Sequence, residues 1–129
     1  MIVLDTHVLV WMRREPRKLS SVASATIRRA RNSGSLAISA ITIVELAALL
    51  NRGRLTTTGS ITATLGQLIE EVEVLPVTLA VAMQSTALPS EFPFDPLDRI
   101  IAATAQLEGV PLVTADERIL HCSSIKTIW

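Results

Sequence analysis

Short apolar segments alternate with longer helix-like segments along this chain, and this alternation is the strongest constraint on its fold. The strand-like segments are Ile2–Leu4, Leu36–Ile38, Val72–Leu75 and Leu112–Thr114, with Lys126–Ile128 as a fifth candidate. They read as largely continuous apolar runs, which is typical of a parallel sheet covered on both faces. The pattern predicts a three-layer α/β/α fold with a central parallel sheet of four to five strands.

The segments between these strands have helical character. The predicted helices cover residues 7–13, 19–32 with a start within 19–21, 39–51, 61–71, 78–87 and 96–107. Pro16 ends the first helix, and glycines follow the C-termini of three others. Ser39 or Thr42 is the expected N-cap of the third helix.

Length and composition favour one globular domain spanning residues 1–129. The chain is 49% hydrophobic and 19% charged, which excludes a disordered protein. No apolar run reaches the ~18 residues of a membrane span, and no basic segment precedes the apolar N-terminus as in a signal peptide. The lone Cys122 excludes an internal disulfide and fits a reducing compartment. We therefore expect a cytoplasmic protein without membrane contact.

Four acidic residues lie beside the apolar ends of these predicted elements. They are Asp5, Glu45, Asp98 and Asp116. Asp5 is the only charged residue among residues 1–12, and Glu45 is the only one between Leu36 and Asn51. Because ligands of open α/β sheets bind beyond the carboxyl ends of the strands, the topology allows all four carboxylates to meet at one sheet edge.

Each of these carboxylates also has a purely structural interpretation. Glu45 follows Thr42 at capping-box spacing. Asp95 followed by Pro96 is typical of a helix start, with Asp98 near the positive end of the helix dipole. Asp116 could begin a helix, and Asp5 could cap the turn after the first strand. Taken singly, the capping interpretations stay open.

If the carboxylates converge, their mutual repulsion calls for a cation. Clustered carboxylates raise one another's pKa, and a divalent ion with oxygen ligands removes that penalty. Mg²⁺ can activate water for phosphodiester cleavage. His7, His121 and Cys122 are too few for a soft-metal site. His7, two residues after Asp5, is either an accessory to the site or an ordinary packed histidine.

Charge is distributed unevenly although the net charge is zero. Residues 1–54 hold nine basic and three acidic residues, a net charge of +6, and residues 55–129 carry the compensating −6. A basic face of this kind could contact a polyanion through backbone phosphates, chiefly from residues 13–31. A solvated helix face is the alternative.

The motifs around the acidic residues resemble those of PIN-domain ribonucleases, specifically the toxins of VapBC-type toxin–antitoxin pairs. The first is Leu4–Trp11 (Leu-Asp-Thr-His-Val-Leu-Val-Trp), and the second is Ser39–Leu46 (Ser-Ala-Ile-Thr-Ile-Val-Glu-Leu). The third is Phe94–Ala102, which contains Asp-Pro-Leu-Asp-Arg, and the fourth is Leu112–Asp116 (Leu-Val-Thr-Ala-Asp). Four such motifs in order, spread over most of the length of the chain, imply a PIN-like domain.

The resemblance implies a role for several residues. Asp5, Glu45, Asp98 and Asp116 would form the metal-binding quartet, with Asp5 and Asp98 as the principal ligands of Mg²⁺ or Mn²⁺. The implied supporting residues are Thr6 and Thr114 by hydrogen bonding, Asp95 as a helix cap, and Arg99 through pairing with a carboxylate or a phosphate. The chain departs from many relatives at Leu97, where they carry an aromatic residue.

The resemblance also implies a metal-dependent endoribonuclease that is a homodimer and is inhibited by a cognate antitoxin. The antitoxin tail would fill the groove of the site, and Trp11 and the segment Val81–Met83 are candidate contact surfaces. Two alternatives remain. A phosphatase with an aspartyl nucleophile would use Asp5, but His7 replaces its second acid and no lysine lies between Lys18 and Lys126. A non-catalytic module that binds RNA or protein is the other.

Overall fold

Five parallel strands form the centre of the molecule in a computed structural model that describes all 129 residues. The strands are β1 (Ile2–Leu4), β2 (Leu36–Ser39), β3 (Glu73–Leu75), β4 (Leu112–Val113) and β5 (Thr127–Ile128). Their order in the sheet is β3-β2-β1-β4-β5, and every pairing is parallel. The predicted three-layer α/β/α architecture is therefore confirmed.

Seven α-helices surround the sheet. They are α1 (Thr6–Arg14), α2 (Ser21–Asn32), α3 (Ala40–Asn51), α4 (Ile61–Leu68), α5 (Leu79–Ala87), α6 (Pro96–Glu108) and α7 (Glu117–Leu120). The predicted fourth helix was too long, because α4 stops at Leu68 and Glu71 adopts a φ of 60° in the turn before β3. No helix is both long enough and apolar enough to cross a membrane.

Alternating side chains of the strands divide the interior into two cores. Ile2 and Leu4 of β1 face one side, where they pack with residues of α1, α2, α3 and α4. Val3 faces the other side, together with Phe92 and buried residues of α6. This period of two is the geometry of a strand covered on both faces.

The order of the strands creates a topological switch point beside β1. From β1 the chain moves outward through β2 to β3, and it then returns to place β4 and β5 on the opposite side of β1. The carboxyl ends of β1 and β4 consequently lie side by side, with α1 and α7 starting just beyond them. Open α/β sheets bind their ligands at such a position.

Candidate active site

Asp5 joins the carboxyl ends of β1 and β4. Its carboxylate is 4% exposed, and one oxygen, Oδ1, caps α1 by accepting a hydrogen bond from the Thr6 amide at 2.8 Å. The other oxygen, Oδ2, accepts a hydrogen bond from the Thr114 hydroxyl at 2.7 Å. The capping and site interpretations of Asp5 are therefore compatible, and Thr6 and Thr114 fix the orientation of its carboxylate.

Buried hydroxyl groups extend this hydrogen-bond network to α3 and α7. The Thr6 hydroxyl donates to Thr42 Oγ1 at 3.1 Å, and Thr114 Oγ1 accepts from the Asp116 amide at 3.1 Å. Ser39 is the N-cap of α3, so Thr42 does not form the capping box that its spacing from Glu45 allows. The side chain of Glu45 is therefore left free of a capping role.

A cleft of about 180 Å³ opens where these elements meet. Three of the four predicted acidic residues, Asp5, Glu45 and Asp98, line it. Thr6 and His7 complete the polar part of the lining, and Val10, Trp11, Leu49 and Leu55 form an apolar wall. Residues from three helices and one strand end thus converge on one small open site.

Asp98 occupies the first turn of α6, whose start matches the sequence prediction. Asp95 is the N-cap and accepts a hydrogen bond from the Leu97 amide at 2.9 Å, and Pro96 is the first helical residue. Burial, followed by the negative charges of Asp5, Asp95, Asp116 and Glu45, raises the pKa of the Asp98 carboxyl to about 7. All three other members of the predicted quartet therefore act on Asp98 electrostatically.

Asp116 lies at the rim of the site, outside the residues that line the cleft, and is held by Arg118. It caps α7, and Arg118 donates from Nε to Oδ1 at 3.1 Å and from Nη2 to Oδ2 at 2.7 Å. These hydrogen bonds from Arg118 lower the pKa of Asp116. Arg118 Nη2 also lies 3.9 Å from Asp98 Oδ2, so one guanidinium links two of the predicted acids.

Sequence reasoning did not find Arg118. Its position two residues after Asp116 was visible, but its relation to Asp98 depends on how α6 and α7 are placed in space. Thr42 was considered only as a cap, and its contact with Thr6 likewise depends on the packing of α1 beside α3.

His7 connects the start of α1 to the β4–α7 connection. Its Nε2 accepts a hydrogen bond from the Ala115 amide at 3.2 Å, and its Nδ1 lies 3.7 Å from Asp5 Oδ2. The imidazole also packs edge-on against Trp11, with ring centroids 4.9 Å apart. His7 is therefore packed into the wall of the cleft, where it faces Asp5.

Arg99 does not pair with a carboxylate, which was one of the two roles expected for it. Its guanidinium donates to the carbonyl oxygens of Pro93 at 2.9 Å and Phe92 at 3.1 Å, with longer contacts to those of Ser85 and Leu88 at 3.4 Å each. It forms no ion pair with a carboxylate. Arg99 instead binds the backbone of the segment that leads into Asp95 and α6.

The donor set of the cleft suits a hard cation that retains water. No three histidine, cysteine, aspartate or glutamate residues lie close enough together to enclose a metal ion. Mg²⁺ commonly binds through one or two carboxylates, keeps several waters and accepts phosphate oxygens. The oxygen donors of Asp5, Glu45 and Asp98 on an open cleft fit this mode, and a cation would compensate the negative charges that, after burial, raise the pKa of Asp98.

Fold and site together define a class: a parallel α/β protein with an acidic, oxygen-donor cleft at its switch point. Comparison with known proteins gives the family. The PIN domain profile matches residues 2–123. Ribonuclease VapC22 of Mycobacterium tuberculosis (strain ATCC 25618 / H37Rv) is 42% identical over 118 residues, which cover 92% of this chain and 88% of that protein. The chain belongs to the PIN-domain family, in the group of VapC-type ribonucleases.

Solved structures agree with this assignment at the level of the fold. VapBC2 from Rickettsia felis bound to a DNA fragment from its promoter matches with a TM-score of 0.75 at 17% identity, covering 99% of this chain and 98% of that one. DNA-bound VapBC from Salmonella typhimurium gives a TM-score of 0.75 at 21% identity, covering 98% and 96%. FitAcB from Neisseria gonorrhoeae gives 0.72 at 21% identity, covering 100% and 97%.

Proposed function

We propose that this protein is an endoribonuclease that depends on Mg²⁺ or Mn²⁺ and is the toxin of a toxin–antitoxin pair, with residues 1–129 acting as one domain in the cytoplasm. The observation that carries the proposal is the convergence of Asp5, Glu45 and Asp98 on one cleft at the carboxyl edge of the sheet. The 42% identity to Ribonuclease VapC22 supports RNA as the substrate.

The residues of the site have different proposed roles. Asp5 and Asp98 would hold the cation directly, and Glu45 and Asp116 would complete its surroundings through water. A divalent cation in such a site supplies an acidified water and neutralises charge on the phosphate. Thr6 and Thr114 hold the Asp5 carboxylate in place through the hydrogen bonds described above. Glu45, which lines the cleft, would accept a proton from the attacking water.

Cleavage of RNA by matched variants tests this proposal. Asp5→Asn and Asp98→Asn preserve side-chain size and should reduce metal-dependent cleavage on the order of 100-fold or more, because each removes a charged ligand. Glu117→Gln is the matched control, since it removes an exposed carboxylate beside the site that has no proposed role. Unchanged cleavage in excess chelator, or by Asp98→Asn, would contradict the proposal.

An antitoxin is the proposed protein partner. The solved structures with the same fold include VapBC pairs and a toxin–antitoxin complex from Klebsiella pneumoniae. The cleft combines carboxylates with an apolar wall that includes Trp11, so a segment carrying both a basic and an apolar side chain would fill it. Binding of the cognate antitoxin should therefore block cleavage and change the tryptophan fluorescence.

A homodimer is the proposed assembly, and α5 is its proposed interface. This helix contains no charged residue, and it exposes 81% of Leu79 and 62% of Met83. The candidate segment Val81–Met83 needs a correction, because Val81 is only 5% exposed. Ala82 and Met83 are the members of that segment that remain available to a second copy.

The phosphatase alternative gains no support from the site. The cleft contains no lysine to stabilise a phosphorylated aspartate. The non-catalytic alternative predicts that Asp98→Asn leaves the biological effect intact, and the cleavage experiment tests that outcome too.

A further inference from the structure

Arg118 stands out among the arginines near the site because its only side-chain partners are carboxylates. Its guanidinium binds both oxygens of Asp116 and approaches Asp98 Oδ2 to 3.9 Å, while 68% of its side chain remains exposed. Arg99, by contrast, is fixed by backbone carbonyl oxygens. Arg118 is therefore a positive charge at the rim of the cleft that nothing except two site carboxylates holds in place.

The same carboxylate oxygens cannot serve Arg118 and a divalent cation equally well. The guanidinium donates to both Asp116 oxygens and lies 3.9 Å from Asp98 Oδ2, so its positive charge opposes a divalent cation at these carboxylates. The Arg118 side chain is 68% exposed, and only its contacts with Asp116 and Asp98 restrain it. Movement of Arg118 therefore meets little resistance from the fold.

A released Arg118 would have a suitable new partner next to it. The guanidinium presents parallel N–H groups that match the oxygens of a phosphate as well as those of a carboxylate. The guanidinium lies at the edge of the cleft in which RNA would be cleaved. A backbone phosphate at that edge would replace Asp116 as the negatively charged partner of Arg118.

We propose that Arg118 exchanges partners during the reaction, leaving Asp116 as the divalent cation binds and contacting a phosphate of the bound RNA. This inference rests on the proposed function, and it adds a phosphate-binding residue that also competes with the metal. Its two consequences have opposite signs: removal of Arg118 strengthens metal binding and weakens RNA binding.

Metal binding without RNA gives the first test. Mn²⁺ is titrated into the chelator-treated and desalted protein, and free Mn²⁺ is measured by electron paramagnetic resonance. Arg118→Gln should bind Mn²⁺ about fivefold more tightly than wild type, because one competing charge is removed. Arg31→Gln is the matched control, since Arg31 makes the same kind of exposed contact with Glu71 near the starts of β2 and β3.

Kinetics on a short fluorescent RNA that the wild type cleaves give the second test. Arg118→Gln should raise KM about tenfold at saturating Mn²⁺, whereas Arg31→Gln should not, because the Arg31 guanidinium is already paired with Glu71. Arg118→Lys keeps the positive charge but lacks the paired N–H groups of the guanidinium. Its Mn²⁺ affinity should therefore stay near that of wild type, while its KM still rises.

The outcomes separate this inference from the proposed function. If Asp98→Asn leaves Mn²⁺ binding unchanged, the proposed metal site is wrong. If Asp98→Asn weakens Mn²⁺ binding but Arg118→Gln does not strengthen it, the partner exchange is overturned. Stronger Mn²⁺ binding with an unchanged KM overturns the contact between Arg118 and the RNA.

Discussion

At the scale of single residues, Asp98 carries the clearest electrostatic signature of the site. Burial and four neighbouring carboxylates raise its pKa to about 7. Near neutral pH, the Asp98 carboxyl of the metal-free protein is therefore partly protonated and partly ionised. A metal ligand must lose its proton before it binds. The affinity for a cation should therefore depend on pH in the neutral range.

The first prediction concerns this coupling. Mn²⁺ affinity should be about tenfold weaker at pH 6 than at pH 8, because protonated Asp98 competes with the cation below its pKa of about 7. Titrations at a series of pH values measure this. Asp98→Asn should bind weakly with little pH dependence, and an equally steep profile in that variant would assign the proton to another group.

The second prediction concerns stability in excess chelator. The unfolded chain loses the Asp98 proton near pH 3.8, whereas the folded protein keeps it to about pH 7. Between these values the native state binds one more proton than the unfolded state, so the free energy of unfolding should fall as pH rises from about 4 to 7. The lowered pKa of Asp116 acts below this window.

Urea unfolding at several pH values tests the second prediction. Asp98→Asn should flatten the profile between about pH 4 and 7 by removing the titrating group. A profile of the same slope in wild type and Asp98→Asn would show that Asp98 does not titrate there.

Residue roles that depend on chain neighbours were accessible from the sequence, and those that depend on packing were not. Asp95 is the helix cap that its position before Pro96 indicates. Arg99 follows Asp98 in the chain, yet it turns toward backbone carbonyls, and the arginine beside Asp98 is the distant Arg118. The three-residue spacing of Thr42 and Glu45 fits a capping box, but Ser39 is the actual cap of α3.

At the scale of elements, α6 depends on the segment before it. Residues 88–95 contain no regular helix or strand. Arg99 of α6 donates hydrogen bonds to backbone carbonyl oxygens of this segment. Phe92, 1% exposed, fixes the same segment in the second core. The position of Asp98 at the cleft is thus maintained by an arginine that does not enter the cleft.

The third prediction follows from this arrangement. Arg99→Met should reduce the free energy of unfolding by about 2 kcal/mol, because partly buried carbonyl oxygens lose their donors. The exposed Arg28→Met serves as the control, and urea denaturation gives the comparison. A raised KM for RNA with unchanged stability would show instead that Arg99 contacts phosphate.

The sequence located the elements better than it located their ends. Strands were recognisable because both faces are buried, which leaves runs such as Ile2–Leu4 without polar interruption. The end of α4 was not recognisable, because Glu71 adopts a φ that favours glycine and no glycine marks the turn. The four-residue α7 is too short to produce a helical period.

At the scale of the whole molecule, strand order brings the site together. Asp5 and Asp116 are far apart in sequence, but β1 and β4 are neighbours, and their carboxyl ends meet through the Thr114–Asp5 hydrogen bond. The alternation of elements predicts a parallel sheet, and the acidic motifs follow its strand ends. Only the three-dimensional structure shows that Asp116 lies at the rim of the site, where its carboxylate is hydrogen-bonded to Arg118.

Three of the basic residues in the first half of the sequence make contacts within the molecule. Arg13 donates to the carbonyl oxygens of Leu68 and Glu70, and Arg31 pairs with Glu71. Lys18 pairs with Glu15 at 3.0 Å. The basic contact surface for RNA stays a prediction, and Arg14, Arg17, Arg28 and Arg29 are the bases between residues 13 and 31 that it would use.

The fourth prediction concerns assembly. Met83→Glu should convert a dimer into a monomer, because it places two like charges in the uncharged apolar face of α5. Size-exclusion chromatography with light scattering measures the mass. Val22→Glu, which alters an exposed apolar residue of α2, is the control and should leave the mass unchanged. A dimer that survives Met83→Glu would place the interface elsewhere.

The most direct test of the account maps RNA ends in cells after brief induction of the wild-type protein or of Asp5→Asn. Hydrolysis by an activated water at the Asp5–Asp98 cleft should produce new ends with a 5′-phosphate, opposite fragments with a 3′-hydroxyl, and neither with Asp5→Asn. New ends that appear equally with both proteins, or that carry a 5′-hydroxyl, would contradict the account.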